Sequence, residues 1–149
     1  MTDAGARVPL LASCPGLVPA GRVCEDLVDL SDFLPTLLEL AGARLPEGGA
    51  FDGRSFLAQL RGEPGRAREW VYYQSDPAYG MERAVRSRDW KLLGSGHLYD
   101  MRGDPLEERP IAPGSGPPEA IAARRHLQAV LDALPPRPEP SGERASPDG

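Results

Sequence analysis

The sequence has no apolar run that approaches the roughly 20 residues of a membrane-spanning helix. Basic residues are also few: 17 Lys and Arg stand against 22 Asp and Glu, which gives a formal net charge of −5. A nucleic-acid-binding protein needs a basic stripe to neutralise phosphates, and this sequence has none. We therefore predict neither a membrane nor a nucleic acid as a partner.

A secretory signal and a cysteine framework are missing as well. Arg7 is the only basic residue of MTDAGARVPLL, and the apolar run is shorter than the roughly 7–15 residues of the apolar core of a signal peptide, so the chain as written is expected in the cytoplasm. Cys14 and Cys24 are the only cysteines. Free thiols are expected in a reducing compartment, although a disulfide across the intervening turn is geometrically possible. Two cysteines without a neighbouring His cannot form a tetrahedral zinc site.

Glycine and proline, at 17 residues each, are abundant and divide the chain into short elements. The first element is the apolar run Val8–Ala12, which is typical of a strand buried on both faces. Such a strand needs neighbours on both sides, and only seven residues precede it. The residues alone leave open where the other strands of its sheet lie.

A helical pattern follows in LSDFLPTLLELAGA, where Leu34, Leu37, Leu38 and Ala41 form an apolar stripe. Ser31 or Asp32 is expected to cap the first amides, and Gly42 supplies the residue with positive φ that ends many helices. A shorter helix is predicted over residues 55–62. It also ends in a glycine.

Beyond the charged connection at 63–68 the pattern changes to that of an antiparallel meander. Strands are predicted over 70–73, 83–87, 90–93 and 97–101, and a helix over 117–134 presents one apolar face that suits it to cover the sheet. We predict three parts: residues 1–65 with the first strand and helices, residues 66–134 with the meander and last helix, and a disordered tail over 135–149.

Five blocks of the sequence together resemble the carboxy-terminal portion of sulfatases, hydrolases of the alkaline-phosphatase-like superfamily. In order they are RVPLLASCPGLVPAGRV, LVDLSDFLPTLLELAG, FDGRSFLAQLRGE, RAVRSRDWKLL and HLYDMRGDPLEE. The resemblance covers roughly residues 5–112. It implies an α/β fold in which residues 1–65 end the central-sheet domain and residues 66–134 form a small antiparallel sheet covered by a carboxy-terminal helix.

The resemblance also implies cofactors that this chain does not provide. Sulfatases carry a formylglycine nucleophile made from the Cys or Ser of a C-x-P-S-R type motif, and they bind Ca²⁺ through carboxylates that lie upstream of the region covered here. Neither Cys14 nor Cys24 is followed by Pro at the second position and Arg at the fourth. We therefore expect no cofactor, metal or catalytic residue in this chain.

Other candidate sites have simpler explanations. The pairs Asp29 with Asp32 and Asp100 with Asp104 are spaced for two metal ligands, but helix capping and turn formation explain them better. His97 and His126 are the only side chains suited to acid–base chemistry near neutral pH, and surface or half-buried positions are expected for both.

Arg83 and Lys91 are the candidates for contact with a substrate. They lie in the predicted meander, which borders the substrate cleft in the family that the sequence resembles, and a guanidinium binds sulfate-like anions well. A solvated strand face is the alternative.

Three functions stay open. The chain is interpreted first as the carboxy-terminal region of a sulfuric ester hydrolase that is inactive by itself, and a start codon assigned too late would produce the same sequence. It could also be a subunit that completes a separately encoded catalytic half by adding its first strand to a sheet edge. The third function is that of a stand-alone binding module built from the meander and last helix.

Overall fold

The structure is a computed structural model that describes residues 2–75 and 82–134. These residues fall into two compact units. The amino-terminal unit comprises residues 4–71, and the carboxy-terminal unit comprises residues 2–3, 72–75 and 82–134. The sequence places a boundary at 65/66 instead, and the three predicted parts stay a prediction. The predicted disordered tail lies outside the described residues.

The amino-terminal unit is built around the predicted helix. A single 3₁₀ turn, Leu30–Asp32, leads into α2, Phe33–Leu40, and a further one-turn helix, α3, covers Leu57–Leu60. The cap is Asp29 rather than the predicted Ser31 or Asp32: its side chain accepts a hydrogen bond from the Ser31 N–H while the Asp32 carboxylate accepts one from the Asp29 N–H. Another one-turn helix, α1, covers Asp3–Ala6.

The core of this unit is small and partly polar. Phe33 and Phe56 pack edge to face with 5.6 Å between ring centroids, and Leu57 is buried beside them on α3. The hydroxyl of Thr36 donates to the carbonyl of Asp32 and accepts from the N–H of Phe56, at 2.6 Å and 3.0 Å. These two hydrogen bonds fix the segment before α3 against α2.

The predicted strand over Val8–Ala12 is not formed. The segment has no regular secondary structure, and the side chains of Val8 and Leu11 are 67% and 93% exposed. A strand exists only where a neighbouring strand accepts and donates its backbone hydrogen bonds, and no other segment of the described chain pairs with this one. The apolar pattern is present without the partner that would turn it into a strand.

The carboxy-terminal unit is the predicted antiparallel meander. Its four strands are β1 (Val71–Gln74), β2 (Arg83–Arg86), β3 (Trp90–Leu93) and β4 (Leu98–Asp100), and they lie in the sheet in sequence order. Arg86 pairs with Lys91 across β2 and β3, and Lys91 pairs with Tyr99 across β3 and β4. This register places the three side chains on one face of the sheet.

The last helix, α4 (Pro118–Ala133), covers the other face, as predicted. Its Ala120, Leu127 and Leu131 are buried. The inward-facing residues of the strands, Val85, Leu92 and Leu98, are buried with no exposed surface. The helix begins with Pro118 because proline at the first position loses no helical hydrogen bond.

Candidate functional site

The face of the sheet opposite α4 carries charged side chains rather than apolar ones. Arg86 of β2 and Lys91 of β3 project from it, and they meet Tyr73 of β1, Glu107 of the turn after β4, and Asp3 from the start of the chain. We call these five residues the polar cluster. All of them belong to the carboxy-terminal unit.

Every member of the polar cluster has a defined partner. The Asp3 carboxylate accepts hydrogen bonds from Arg86 Nε at 2.7 Å and from the Tyr73 hydroxyl at 3.1 Å. Lys91 Nζ lies 3.5 Å from the same carboxylate. The Glu107 carboxylate accepts hydrogen bonds from Lys91 Nζ at 2.6 Å and from the Asp3 N–H at 2.5 Å. The ammonium of Lys91 also lies over the Tyr73 ring, 5.4 Å from its centroid.

The polar cluster is almost fully enclosed, with 0% of Lys91 and 5% of Asp3 exposed. Burial at this depth is tolerable only because two cations face two carboxylates. Burial, followed by the nearby Asp3 carboxylate, raises the pKa of Tyr73 well above its ordinary value, so its hydroxyl stays a donor. The arrangement is an ion-pair network that holds a carboxylate in place; none of its groups is positioned as an activated nucleophile.

The turn that delivers Glu107 is built by Asp104. Its carboxylate accepts hydrogen bonds from the N–H groups of Glu108 and Arg109, at 3.0 Å and 2.9 Å. These hydrogen bonds lower the pKa of Asp104, and the one from Arg109 has the larger effect. Glu107 has a φ of 60°, a left-handed conformation that is uncommon outside glycine. The predicted turn role of Asp104 is confirmed.

The structure separates the two residues predicted to contact a substrate. Arg83 lies on the α4 side of the sheet, where its guanidinium donates to the Leu134 carbonyl at 2.8 Å and to the Leu131 carbonyl at 3.4 Å at the end of the helix. Lys91 lies on the opposite face within the polar cluster. Their contact with a substrate stays a prediction.

The remaining sequence candidates are surface groups. His97 and His126 are exposed, as expected, and Cys14 and Cys24 are exposed free thiols. A depression of about 240 Å³ is lined by Asp100, Gly103, Asp104, Arg109 and Ile111. The Arg102 guanidinium donates hydrogen bonds to both oxygens of the Asp100 carboxylate. These hydrogen bonds are the main cause of the lowered pKa of Asp100. Within residues 2–75 and 82–134, no three His, Cys, Asp or Glu side chains are grouped as a metal site.

The amino-terminal unit contains a second buried ion pair, which sequence reasoning missed. Arg68 donates Nε and Nη2 to the two carboxylate oxygens of Asp32 at 2.6 Å and 2.5 Å, and it also reaches the carbonyl of Asp52 at 2.9 Å. The sequence favours a capping role for Asp32 over metal ligation and does not predict an ion pair. Nothing in the local pattern around Arg68 distinguishes it from the other charges of residues 63–68.

Helix α2, together with the turn that precedes it, has three leucines on its exposed side. Its buried positions are Pro35 and Thr36. Leu30, Leu34 and Leu37, which we call the leucine face, follow helical spacing and are 80%, 46% and 57% exposed. A helix that exposes leucines and buries a threonine has an apolar face that no described part of this unit covers.

Comparison with known proteins identifies the class. The family model for "N-sulphoglucosamine sulphohydrolase, C-terminal" matches residues 1–129. Mouse steryl-sulfatase is 31% identical over 89% of the chain, and mouse arylsulfatase G is 34% identical over 74% of it. The crystal structure of a candidate sulfatase from Bacteroides thetaiotaomicron superposes with a TM-score of 0.56 and 31% identity over 68% of the chain.

The chain therefore belongs to the sulfatase family. Within that family it corresponds to the carboxy-terminal portion, as the sequence blocks indicated. It spans about a quarter of the length of the relatives it matches: 25% of steryl-sulfatase, 22% of arylsulfatase G and 23% of the Bacteroides protein. No helix among the described residues is long and apolar enough to cross a membrane.

Proposed function

We propose that this chain is the carboxy-terminal structural region of a sulfatase-type sulfuric ester hydrolase, and that it does not hydrolyse sulfate esters alone. Its role is to cover and brace an α/β catalytic region that carries the nucleophile and the cation. The leucine face is the single observation that carries this proposal. Exposed leucines at helical spacing are stabilised when another apolar surface removes them from water, by about 1.5–3 kcal/mol for each side chain that becomes fully buried.

The residues of the chain support the proposal that it does not hydrolyse sulfate esters by itself. The family reaction, as the resemblance implies it, needs an aldehyde hydrate formed on a C-x-P-S-R type motif, and neither cysteine lies in one. The buried carboxylates of Asp3 and Glu107 are held by Arg86 and Lys91, so they are committed to ion pairs. These residues stabilise a fold instead of reacting with a sulfate ester.

A hydrolysis assay tests this. The purified full chain, supplied with Ca²⁺ and a chromogenic aryl sulfate, is expected to release product no faster than the same sample after boiling. A rate clearly above the boiled control, and abolished by Cys14→Ala or Cys24→Ala, would show that the chain has a nucleophile of its own and would overturn the proposal.

A second candidate is that the chain completes a separately encoded catalytic half. The exposed run at Val8–Leu11 favours it, because an extended apolar segment without a paired neighbour can add to an open sheet edge. Co-expression with the part of the Bacteroides sulfatase that this chain does not match provides the partner. We expect the two polypeptides to co-purify.

Two variants test whether the leucine face, in addition to the Val8–Leu11 run, is needed for this association. The double variant Leu34→Glu with Leu37→Glu places charges on the leucine face and is expected to abolish co-purification. Ile121→Glu, on α4 of the other unit, changes an apolar residue of comparable exposure, 43%, and is expected to leave co-purification intact. If both variants co-purify equally well with the partner polypeptide, the leucine face is not the contact.

A further inference from the structure

The polar cluster has an asymmetry of charge that depends on one residue. The sheet and its adjoining turn contribute Arg86, Lys91 and Glu107, which together carry one net positive charge in an enclosed space. Asp3 supplies the missing negative charge. It comes from a distant part of the sequence, 83 positions from Arg86 and 104 from Glu107.

The donors that meet Asp3 are arranged for a carboxylate. One oxygen, Oδ2, accepts a hydrogen bond from Arg86 Nε at 2.7 Å. The other, Oδ1, receives the Tyr73 hydroxyl at 3.1 Å and lies 3.5 Å from Lys91 Nζ. Three strands thus contribute one donor each, and each oxygen of the planar group has its own partner.

Two of these donors, Arg86 and Lys91, also make contacts that do not involve the Asp3 carboxylate. Lys91 is held by Glu107 at 2.6 Å, and Arg86 also donates from Nη1 to the Ser87 carbonyl at 2.9 Å. Both side chains extend from neighbouring, hydrogen-bonded strands in register with each other. Arg86 and Lys91 therefore each have a contact that does not depend on the Asp3 carboxylate, which favours a preformed binding site.

We propose that Tyr73, Arg86 and Lys91 form a carboxylate-binding site on this face of the sheet, and that the side chain of Asp3 is its tethered occupant. The ligand class is a small monocarboxylate, such as formate or acetate. The site is a property of the carboxy-terminal unit and does not depend on the sulfatase function proposed above.

Chemical rescue tests the proposal. Asp3→Ala in the full chain removes the occupant, and we expect its melting temperature to fall by about 10 °C or more, because a buried cation loses its counter-charge. Sodium acetate or formate should then raise the melting temperature of Asp3→Ala by more than that of the wild type, compared with sodium chloride at equal ionic strength. Adding Arg86→Gln to Asp3→Ala should remove this excess.

The controls separate a site from a general salt effect. Asp132→Ala removes an exposed carboxylate of α4, so it should neither destabilise the chain nor respond to acetate. Sodium sulfate, which stabilises folded proteins in general, should show no excess for Asp3→Ala over the wild type. Absence of an acetate excess, or an equal excess with sulfate, would overturn the proposal.

A less disruptive variant keeps the test decisive if Asp3→Ala is insoluble. Asp3→Asn preserves the shape of the side chain and one acceptor oxygen but removes the charge. We expect a lowered melting temperature for it as well. If Asp3→Asn melts at the wild-type temperature, the site does not select a carboxylate and the proposal fails.

Discussion

Arg68 and Asp32 form a two-point ion pair, with Nε to Oδ2 at 2.6 Å and Nη2 to Oδ1 at 2.5 Å, across 36 positions of sequence. Only 9% of the Arg68 side chain and 2% of the Asp32 side chain are exposed. The Asp32 carboxylate also accepts the N–H groups of Asp29 and Arg54. One carboxylate therefore joins the start of α2, the segment before α3, and the end of the amino-terminal unit.

Breaking this pair should be costly. Arg68→Ala leaves the buried Asp32 carboxylate without its cation, and we expect the free energy of unfolding to fall by about 3–5 kcal/mol. Arg66→Ala removes a nearby exposed arginine and should change it by less than about 0.5 kcal/mol. Urea unfolding followed by circular dichroism measures both. Similar losses for the two variants would contradict the role assigned to Arg68.

The same carboxylate should make stability depend on pH. Burial favours the neutral form of Asp32, but hydrogen bonds from Arg68, Arg54 and Asp29 outweigh it and lower the pKa. A carboxyl whose pKa is lower in the folded state stabilises the fold above its unfolded pKa of about 3.9, and this contribution is lost as the pH falls below that value. Urea midpoints should drop from pH 5 to pH 3 by more in the wild type than in Asp32→Asn.

The hydroxyl of Thr36 should matter more than its methyl group. Thr36→Val keeps the shape but removes the hydrogen bonds to Asp32 and Phe56, and we expect a loss of about 1–3 kcal/mol. Thr36→Ser retains the hydroxyl and should lose less. Equal losses in the two variants, measured by urea unfolding, would assign the effect to packing.

Glu107 should contribute more to the stability of the fold than its neighbour Glu108. Glu107→Gln removes the charge opposite Lys91, a pair separated by 2.6 Å, and we expect a loss of about 3 kcal/mol. Glu108→Gln alters an exposed side chain and serves as the control. Hydrogen exchange of the β2 and β3 amides reports on the carboxy-terminal unit directly, and faster exchange is expected only for Glu107→Gln.

The isolated chain should associate with itself through the leucine face. Exposed apolar side chains at helical spacing favour contact between copies when no other partner covers them. Size-exclusion chromatography over a range of concentrations should show association for the wild type and less for Leu34→Glu with Leu37→Glu. A wild-type chain that stays monomeric at every concentration would contradict this expectation.

Sequence patterns predicted the local elements well. The stripe of Leu34, Leu37 and Leu38 gave the position of α2, and Gly42, with a φ of 67°, ends it as expected. The spacing of short strands predicted the four-stranded meander, and Pro118 marked the start of α4. These features depend on residues close together in the chain, so the sequence contains them.

Patterns failed where the partner is distant in the sequence or is not supplied by any described segment. The apolar run at Val8–Ala12 was interpreted as a strand, but a strand requires neighbours that no described segment supplies. The sequence predicts an apolar stripe on α2, and only the structure shows that Leu34 and Leu37 of this stripe are exposed while Thr36 is buried. Periodicity indicates that a face is apolar; it does not indicate what covers it.

The sequence by itself determined the family, the order of the elements and the positions where helices end, because these follow from local composition and from blocks in a characteristic order. Only the tertiary structure decided which charges became buried partners. Asp3 meets Arg86, and Asp32 meets Arg68, across separations of 83 and 36 positions. Buried charges are stabilised by whichever opposite charge the fold brings close, and that proximity is a property of the folded chain.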